Sequence, residues 1–301
     1  MVSLLTTGEL NLPDHIIDPW LTKVKAGSTI AALSNAIPMK FGKSTATTLD
    51  IGEAEYVGEG ANKGPSDITK KIASINPYKF HKTVRWTDEV KWADEEYQLG
   101  VVAQILEQIQ PALARALDYS GYHGINPTGG APVAAMTDRI AGGSNVVTVG
   151  SGKAYEYIDA ADTLVLAAGY VPSGIALAPS LAARFATARA VQTEQKLYPG
   201  FRLDVAPSEL EGHRASVSRT VSAVGVAATP TNVEGVVGDF DSFGWGVQRS
   251  IGLRMIEYGD PDGQGDLQRN NQVAFRAEIV YGWGIADEKA FAVLKSSGSG
   301  D

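Results

Sequence analysis

The stretch from Ile51 to Tyr119 constrains the fold more than any other part of the sequence. It predicts a long two-stranded arm, with an outgoing strand over Ile51–Val57, a polar tip over Gly58–Asp67 and a returning strand over Ile72–Trp86. Three glycines, a proline and several charges keep the tip out of any core. Both faces of the returning strand are half polar, and such a hairpin is marginal alone. We therefore expect the arm to lie against another molecule.

The residues after the arm predict the longest helix of the chain. Asp94 is a suitable N-cap, and Gly121 is the expected end. Apolar residues at spacings of three and four form one stripe along it. The stripe consists of Leu99, Val102, Leu106, Ile109, Leu113 and Ala116/Leu117. A buried helix of an ordinary α/β enzyme would explain this pattern, but it would not explain the arm.

The order of the predicted elements divides the chain into six regions. They are an N-terminal arm with a helical apolar pattern (1–48), the extended loop (49–87), the long helix and the loop behind it (88–144), an inserted α/β region (145–235), C-terminal strands (236–295) and a flexible tail (296–301). In the inserted region we predict a helix over Tyr155–Ala168, a strand over Gly174–Ala178 and a second helix from Ser180 to Val191. Two further strand regions follow, from Phe243 to Tyr258 and from Val273 to Ile285.

Composition excludes several classes of function. The net charge of −8 argues against a primary nucleic-acid binder, which normally carries a basic footprint. The chain has no cysteine, which excludes disulfides and thiolate zinc sites. No run of about 18 apolar residues is present, so no membrane span or membrane partner is predicted.

Motifs for cofactor and metal chemistry are incomplete. The glycines of the arm tip have the wrong spacing for a dinucleotide-binding loop, and no cofactor is predicted. Asp260, Asp262 and Asp266 cluster with metal-like spacing but lack the bidentate Glu of a calcium loop. A solvated turn is the leading interpretation of this cluster, and weak ion binding is the alternative.

Four stretches in order resemble the major capsid proteins of tailed bacteriophages, which have the Hong Kong 97-type fold. They are Glu55-Tyr56-Val57-Gly58-Glu59-Gly60 with Ser66-Asp67, Ala114–Asp118 with Gly121–Gly124 and Asn126–Gly129, Gly238-Asp239-Phe240, and Asn271–Glu278 through Ala290–Ala292. The resemblance covers nearly the whole chain. It implies an α+β, Hong Kong 97-like capsid fold with an N-terminal arm, an extended β-hairpin loop, a peripheral domain with a long spine helix, and an axial domain at about 145–235.

The resemblance also implies a function. Pentamers and hexamers of the chain would close an icosahedral shell around double-stranded DNA in a virion assembled in the host cytoplasm, without catalytic turnover. A separate scaffolding protein and a portal protein are implied partners, with decoration proteins as a further class. The extended loop would lie across a neighbouring subunit. The expected contact residues are Glu59, Lys63, Asp67, Lys70, Lys71, Tyr78 and Trp86.

Some members of the family form an isopeptide bond between an extended-loop Lys and an Asn of a neighbouring subunit, assisted by a Glu. Asn271 and Glu278 match the positions of that Asn and Glu, and Lys63, Lys70 or Lys71 would supply the amine. The competing interpretation is that Asn271 serves a turn and Glu278 a sheet.

Two other functions stay open at this point. An encapsulin-like nanocompartment protein would share the shell fold but enclose enzymes. An α/β enzyme would carry its site in loops such as 121–143, with Asp118, His123 and Asp138 as the plausible group, although they complete no catalytic motif.

Overall fold

The computed structural model describes residues 27–50, 56, 57, 59, 69–89, 95–190 and 192–297. The helices are α1 (Thr29–Leu33), α2 (Glu95–His123), α3 (Ala154–Ala167) and α4 (Pro179–Thr187). The strands are β1 (Ser44–Asp50), β2 (Thr69–Thr87), β3 (Val146–Val149), β4 (Gly174–Leu177), β5 (Ser208–Leu210), β6 (His213–Val217), β7 (Val233–Gly238), β8 (Phe243–Ile256), β9 (Gln272–Ile285) and β10 (Phe291–Ser296). The strands form two sheets, so the predicted α+β class is confirmed.

A four-stranded antiparallel sheet in the order β1-β2-β9-β8 carries the arm. β2 pairs with β9 over residues 76–87 and with β1 over residues 69–75. The returning strand predicted over 72–86 is confirmed. The strand before the tip begins earlier than predicted, at Ser44, and residues 51–55 of the predicted outgoing strand lie outside the described part of the chain.

The long helix α2 packs on one face of this sheet and extends beyond its predicted end at Gly121. It continues to His123, so the predicted end is wrong. A Cβ at position 121 would lie 2.7 Å from Cδ1 of Ile30 and 2.9 Å from Cζ of Phe243. The helix ends instead before Gly124, whose φ of +65° suits a helix terminus. Gly121 therefore serves close packing. The predicted N-cap lies outside the described residues.

The buried face of α2 differs from the predicted stripe in its first half. Val101 and Ile105 are each 5% exposed, whereas the predicted Val102 and Leu106 are partly buried at the margin of the core. From Ile109 onward the predicted and observed faces agree. Two adjacent apolar faces are available in this half of the helix, and packing against the sheet selects one of them.

The second sheet has six strands in the order β3-β10-β7-β4-β6-β5 and separates two cores. Side chains alternate between its faces. Val236 and Val293 belong to the core shared with α2, whereas Val237 and Leu294 belong to the core beneath α3 and α4. Two strands at the ends of the predicted 236–295 region, β7 and β10, thus lie in the sheet of the inserted region. The domain limits themselves remain predictions.

The helices of the inserted region are close to their predicted positions. α3 and β4 confirm the predicted helix and strand. Ser180 does not cap α4 as predicted, because Pro179 occupies the first turn and the Ser180 hydroxyl donates to Glu234. α4 also ends before Val191, since Arg189 already pairs with Lys196 in an antiparallel bridge.

The first described segment docks on the edge of β8. The helical pattern predicted from the N-terminal arm ends at Leu33, and residues 1–26 lie outside the described part of the chain. The amide of Ile37 donates to the carbonyl of Trp245 at 2.8 Å. The Trp245 indole donates to the Ser34 hydroxyl at 2.8 Å, so its buried polar atom is satisfied. None of the described helices is long and apolar enough to cross a membrane.

Candidate subunit interface

β1 and the first part of β2 form a two-stranded ribbon that extends beyond the four-stranded sheet. The ribbon pairs residues 44–50 with 69–75, and β9 begins to pair with β2 only at Asn76. No other described strand pairs with either edge of the ribbon. A two-stranded ribbon is marginal in water, and a free edge is a template for a partner. The ribbon is therefore a part of the described chain that needs a neighbouring surface.

The predicted contact residues of the arm are only partly described. Glu59 is exposed in a turn. Lys70 and Lys71 lie in strand β2, and their side chains are outside the described part of the structure. Lys63 and Asp67 lie outside the described residues. Their contacts with another subunit remain predictions.

Two further predicted contacts, Tyr78 and Trp86, pack within their own chain. Tyr78 is 9% exposed, and its ring stacks on Trp283 with centroids 4.0 Å apart. Its hydroxyl donates to the carbonyl of Ala135 at 2.9 Å, and burial raises the pKa of Tyr78. Trp86 is partly buried against the same core. Tyr78 therefore leaves the set of proposed inter-subunit contacts, because its surface is already covered.

The face of the four-stranded sheet opposite α2 is basic. As the alternation predicts, Lys79 points to this face, and the cross-strand partners on β8 and β9 add three arginines. We call Lys79, Arg249, Arg254 and Arg276 the basic face. Arg254 lies directly opposite Arg276, an arrangement of like charges that is unfavourable unless an anion joins them. The two line an open groove of about 440 Å³.

One carboxylate, Glu278, interrupts the basic face. Its Oε2 lies 2.7 Å from Nζ of Lys79. The hydrogen bond from Lys79 lowers the pKa of Glu278, with Arg276 adding to the effect. Glu278 also lines the groove beside the two arginines. The charge of Glu278 is thus taken up by Lys79, which leaves the arginines as the cations of the groove.

Arg85 pairs with two of the three aspartates, Asp260, Asp262 and Asp266, whose spacing suggested a metal site. Its guanidinium donates to Asp260 at 3.1 Å and, through Nε, to Asp262 at 3.0 Å. This contact lowers the pKa of Asp262. Asp266 accepts a hydrogen bond from the amide of Arg269 at 2.9 Å, within the short helical turn before β9. All three carboxylates thus hold the turn before β9, and the described residues contain no cluster suited to a metal ion.

Asn271 directly precedes β9, and Glu278 lies in the middle of that strand. Seven residues of strand at roughly 3.3 Å each separate them by about 23 Å. The two residues of one chain therefore cannot act on the same amine. Asn271 has φ +56°, a left-handed conformation that Asn adopts more readily than most residues. Each residue type thus has a local structural reason.

The three candidate catalytic residues bond to different parts of the chain. No hydrogen bond joins any two of Asp118, His123 and Asp138, all of which are described. Nε2 of His123 lies 3.0 Å from the carbonyl of Val221, and burial lowers the pKa of His123 to about 4. Asp138 accepts a hydrogen bond from the neighbouring Thr137 hydroxyl at 3.1 Å.

Asp118 instead joins three parts of the chain. Its buried carboxylate accepts hydrogen bonds from the amides of Thr29 and Ile30 at 2.9 and 3.1 Å. The hydroxyls of Ser28 and Thr220 donate to it as well. Burial raises the pKa of Asp118, and these hydrogen bonds oppose the shift. The carboxylate connects α1, α2 and the loop after β6, a role that the sequence did not indicate.

Comparisons with known proteins agree with this architecture. The model of the phage capsid family matches residues 8–296. A solved structure from Mycobacterium phage Ogopogo is 40% identical, covers 98% of this chain and 100% of its own, and has a TM-score of 0.78. One from Gordonia phage Cozz is 30% identical, covers 97% and 93%, and has a TM-score of 0.76. A structure from Mycobacterium phage Cain shares the fold at 18% identity, with 90% of each chain covered and a TM-score of 0.68. A search of curated proteins finds no match.

These matches span nearly the whole chain and both sheets. They confirm the Hong Kong 97-like fold and do not favour the encapsulin-like or enzyme alternatives. Together with a ribbon whose edges have no strand partner among the described residues, and a core shared between two sheets, they point to a structural subunit of a shell. The chain belongs to the phage capsid family and is a capsid shell protein of a virion.

Proposed function

We propose that this capsid protein assembles as pentamers and hexamers into an icosahedral shell around the double-stranded DNA of a tailed bacteriophage. The ribbon of β1 and β2 carries the proposal, because both of its edges lack a strand partner among the described residues. A neighbouring copy would supply the missing surface. The net charge of −8 suits a shell that encloses DNA without binding it tightly.

The proposal includes the partners and the place of assembly. The shell forms in the host cytoplasm on a separate scaffolding protein and around a portal protein, and its outer surface is open to decoration proteins. It performs no catalytic turnover. The observation that supports a purely structural role is the use of Asp118, His123 and Asp138 in contacts within the chain.

The first test is negative-stain electron microscopy of the full chain, with static light scattering on the same sample. Closed shells, or rings of five and six subunits, are the expected particles once the scaffolding protein is present. A chain that stays monomeric with its scaffold would contradict the proposal. Native particles that contain enzymes instead of DNA would favour the encapsulin-like alternative.

The contact between subunits is proposed to join the arm tip to the basic face of a neighbour. The stretch from Gly52 to Ile68 carries four carboxylates and one lysine, so it is acidic. Glu59 is exposed, and Arg254 and Arg276 line a groove together with Glu257 and Glu278, of which Glu278 is paired with Lys79. Opposite charges across an interface set its register and speed association.

A charge reversal tests this contact without harming the subunit. Arg254→Glu replaces a pair of like charges opposite Arg276 by an attractive pair, so the folded subunit should be at least as stable. We expect this variant to lose shell assembly and Glu59→Arg to restore part of it in the double variant. Arg269→Glu, at an exposed site outside the groove, is the control. Equal assembly by the Arg254 and Arg269 variants would refute the contact.

A covalent cross-link is a separate part of the proposal. The amine of Lys63, Lys70 or Lys71 would attack the side-chain amide carbon of Asn271 on a neighbour, forming a new amide and releasing ammonia, while a Glu278 accepts the ammonium proton. The separation of about 23 Å within β9 requires that Asn271 and Glu278 come from different copies. Boiling assembled particles in detergent tests it. Ladders of high mass that vanish with Asn271→Asp are expected, and full dissociation to monomers would exclude the bond.

A further inference from the structure

A second pocket lies where the end of α2 meets the loop before β7, away from the ribbon and the basic face. Its volume is about 190 Å³, enough for roughly six waters at about 30 Å³ each. Its polar lining comes from Arg139, Lys295, His123, Thr229 and Thr231. No carboxylate of the described residues lines it.

The side chain of Arg139 is positioned by two glycines. A Cβ at position 124 would lie 3.2 Å from Cδ of Arg139, and a Cβ at position 142 would lie 3.3 Å from its Cγ. Gly124 and Gly142 thus make room for the aliphatic stem. No described residue accepts a hydrogen bond from the guanidinium. A cation with a fitted stem and an open hydrogen-bonding head is suited to a ligand from outside the chain.

Lys295 provides a second cation in the same pocket. Its Nζ lies 3.3 Å from the carbonyl of Ala141, so the ammonium is positioned and keeps donors to spare. His123 stays neutral at pH 7, because burial lowers its pKa to about 4. The positive charge of the pocket therefore comes from Arg139 and Lys295.

We propose that this pocket binds a phosphate-type oxyanion. Arg139 and Lys295 supply the charge, and the hydroxyl of Thr229 supplies a further donor. A guanidinium fork matches two oxygens of a tetrahedral oxyanion. A free phosphate ion and a phosphodiester of a nucleic acid share this chemistry. The proposal is independent of the arm and of the subunit contact.

The full chain tests the proposal by ³¹P line broadening. Inorganic phosphate is titrated in chloride buffer at constant ionic strength, and a short oligothymidylate is titrated in a second arm. Arg139→Gln should weaken binding about tenfold or more, since a hydrogen bond to a charged group contributes at least about 1.5 kcal/mol. Arg269→Gln, an exposed arginine elsewhere, should leave binding unchanged.

Each result has a defined meaning. Broadening that falls in Arg139→Gln and persists in Arg269→Gln supports the site; phosphate binding without oligothymidylate binding assigns it to free ions, and binding of both extends it to phosphodiesters. Absence of broadening with both probes, or equal broadening in all three chains, overturns it. Arg139 is exposed, so its variant should fold. Thr229→Val is the second variant, and it should weaken binding by a smaller factor.

Discussion

The backbone amide of Thr29 donates a hydrogen bond of 2.9 Å to the buried carboxylate of Asp118, 89 positions later in the sequence. The contact places a negative charge at the first turn of α1, where free amides attract it. Because Thr220 donates to the same carboxylate, one side chain ties the N-terminal segment and the inserted region to the long helix. The orientation of these parts therefore depends on Asp118.

Asp118→Ala should destabilise the subunit by at least about 3 kcal/mol, because it leaves several buried donors without an acceptor. Urea unfolding of the unassembled chain measures this. Asp159→Ala, an exposed aspartate on α3, should change stability by less than about 0.5 kcal/mol. Equal losses in the two variants would show that Asp118 has no special structural role.

Two glycines of α2 should respond to alanine in opposite directions. Gly121→Ala places a methyl group 2.7 Å from Ile30 and should cost about 1–3 kcal/mol. Gly100→Ala meets no atom within 4 Å and should stabilise the helix by about 0.5–1 kcal/mol. Thermal unfolding of both variants measures the difference. A loss of stability in Gly100→Ala would contradict the open surroundings of that position.

His123 should make the subunit less stable at acidic pH. Its pKa falls to about 4 on burial, while an unfolded histidine takes up a proton near pH 6.5. Between these values the unfolded state binds more protons, so stability falls as the pH drops, by about 3 kcal/mol in total. His123→Gln should flatten the profile of unfolding free energy between pH 7 and 4. An unchanged slope would contradict the burial of this ring.

His213 should act in the opposite direction. Its Nε2 lies 2.9 Å from Oδ2 of Asp162, and this partner raises the pKa of His213. The ion pair stabilises the fold fully below the unfolded pKa of about 6.5 and less as the pH rises through the folded value. His213→Gln should therefore cost more stability at pH 5.5 than at pH 8. Equal costs at both pH values would argue against a charged pair.

Features set by residues close together in the sequence were predicted correctly, whereas features set by contacts between distant residues were not. The returning strand and α3 matched their patterns because local alternation and helical spacing specify them. The end of α2 was missed because Gly121 looks like a terminator, and its packing against Ile30 and Phe243 is visible only in three dimensions. Tyr78 looked like an interface residue because its strand is half polar, yet Trp283 and Ala135 cover it.

The acidic loop that contains Asp260, Asp262 and Asp266 is a second case in which a distant contact was not predicted. Its carboxylates have metal-like spacing in the sequence, but Arg85, 175 positions before Asp260, takes up their charge. The sequence also did not indicate that Arg254 and Arg276 lie opposite each other, because only the pairing of β8 with β9 brings them together.

Sequence patterns alone indicated a long helix behind a polar arm and contained no complete catalytic motif, because these features depend on short-range periodicity and residue type. The class of fold was expected from the resemblance to capsid proteins. Three-dimensional packing selects which face of α2 is buried, where Asp118 finds its donors, and which carboxylates pair with Lys79 and Arg85. Those outcomes depend on contacts between residues far apart in the chain, and burial determines whether a charge must be matched inside the protein or is left for a neighbour.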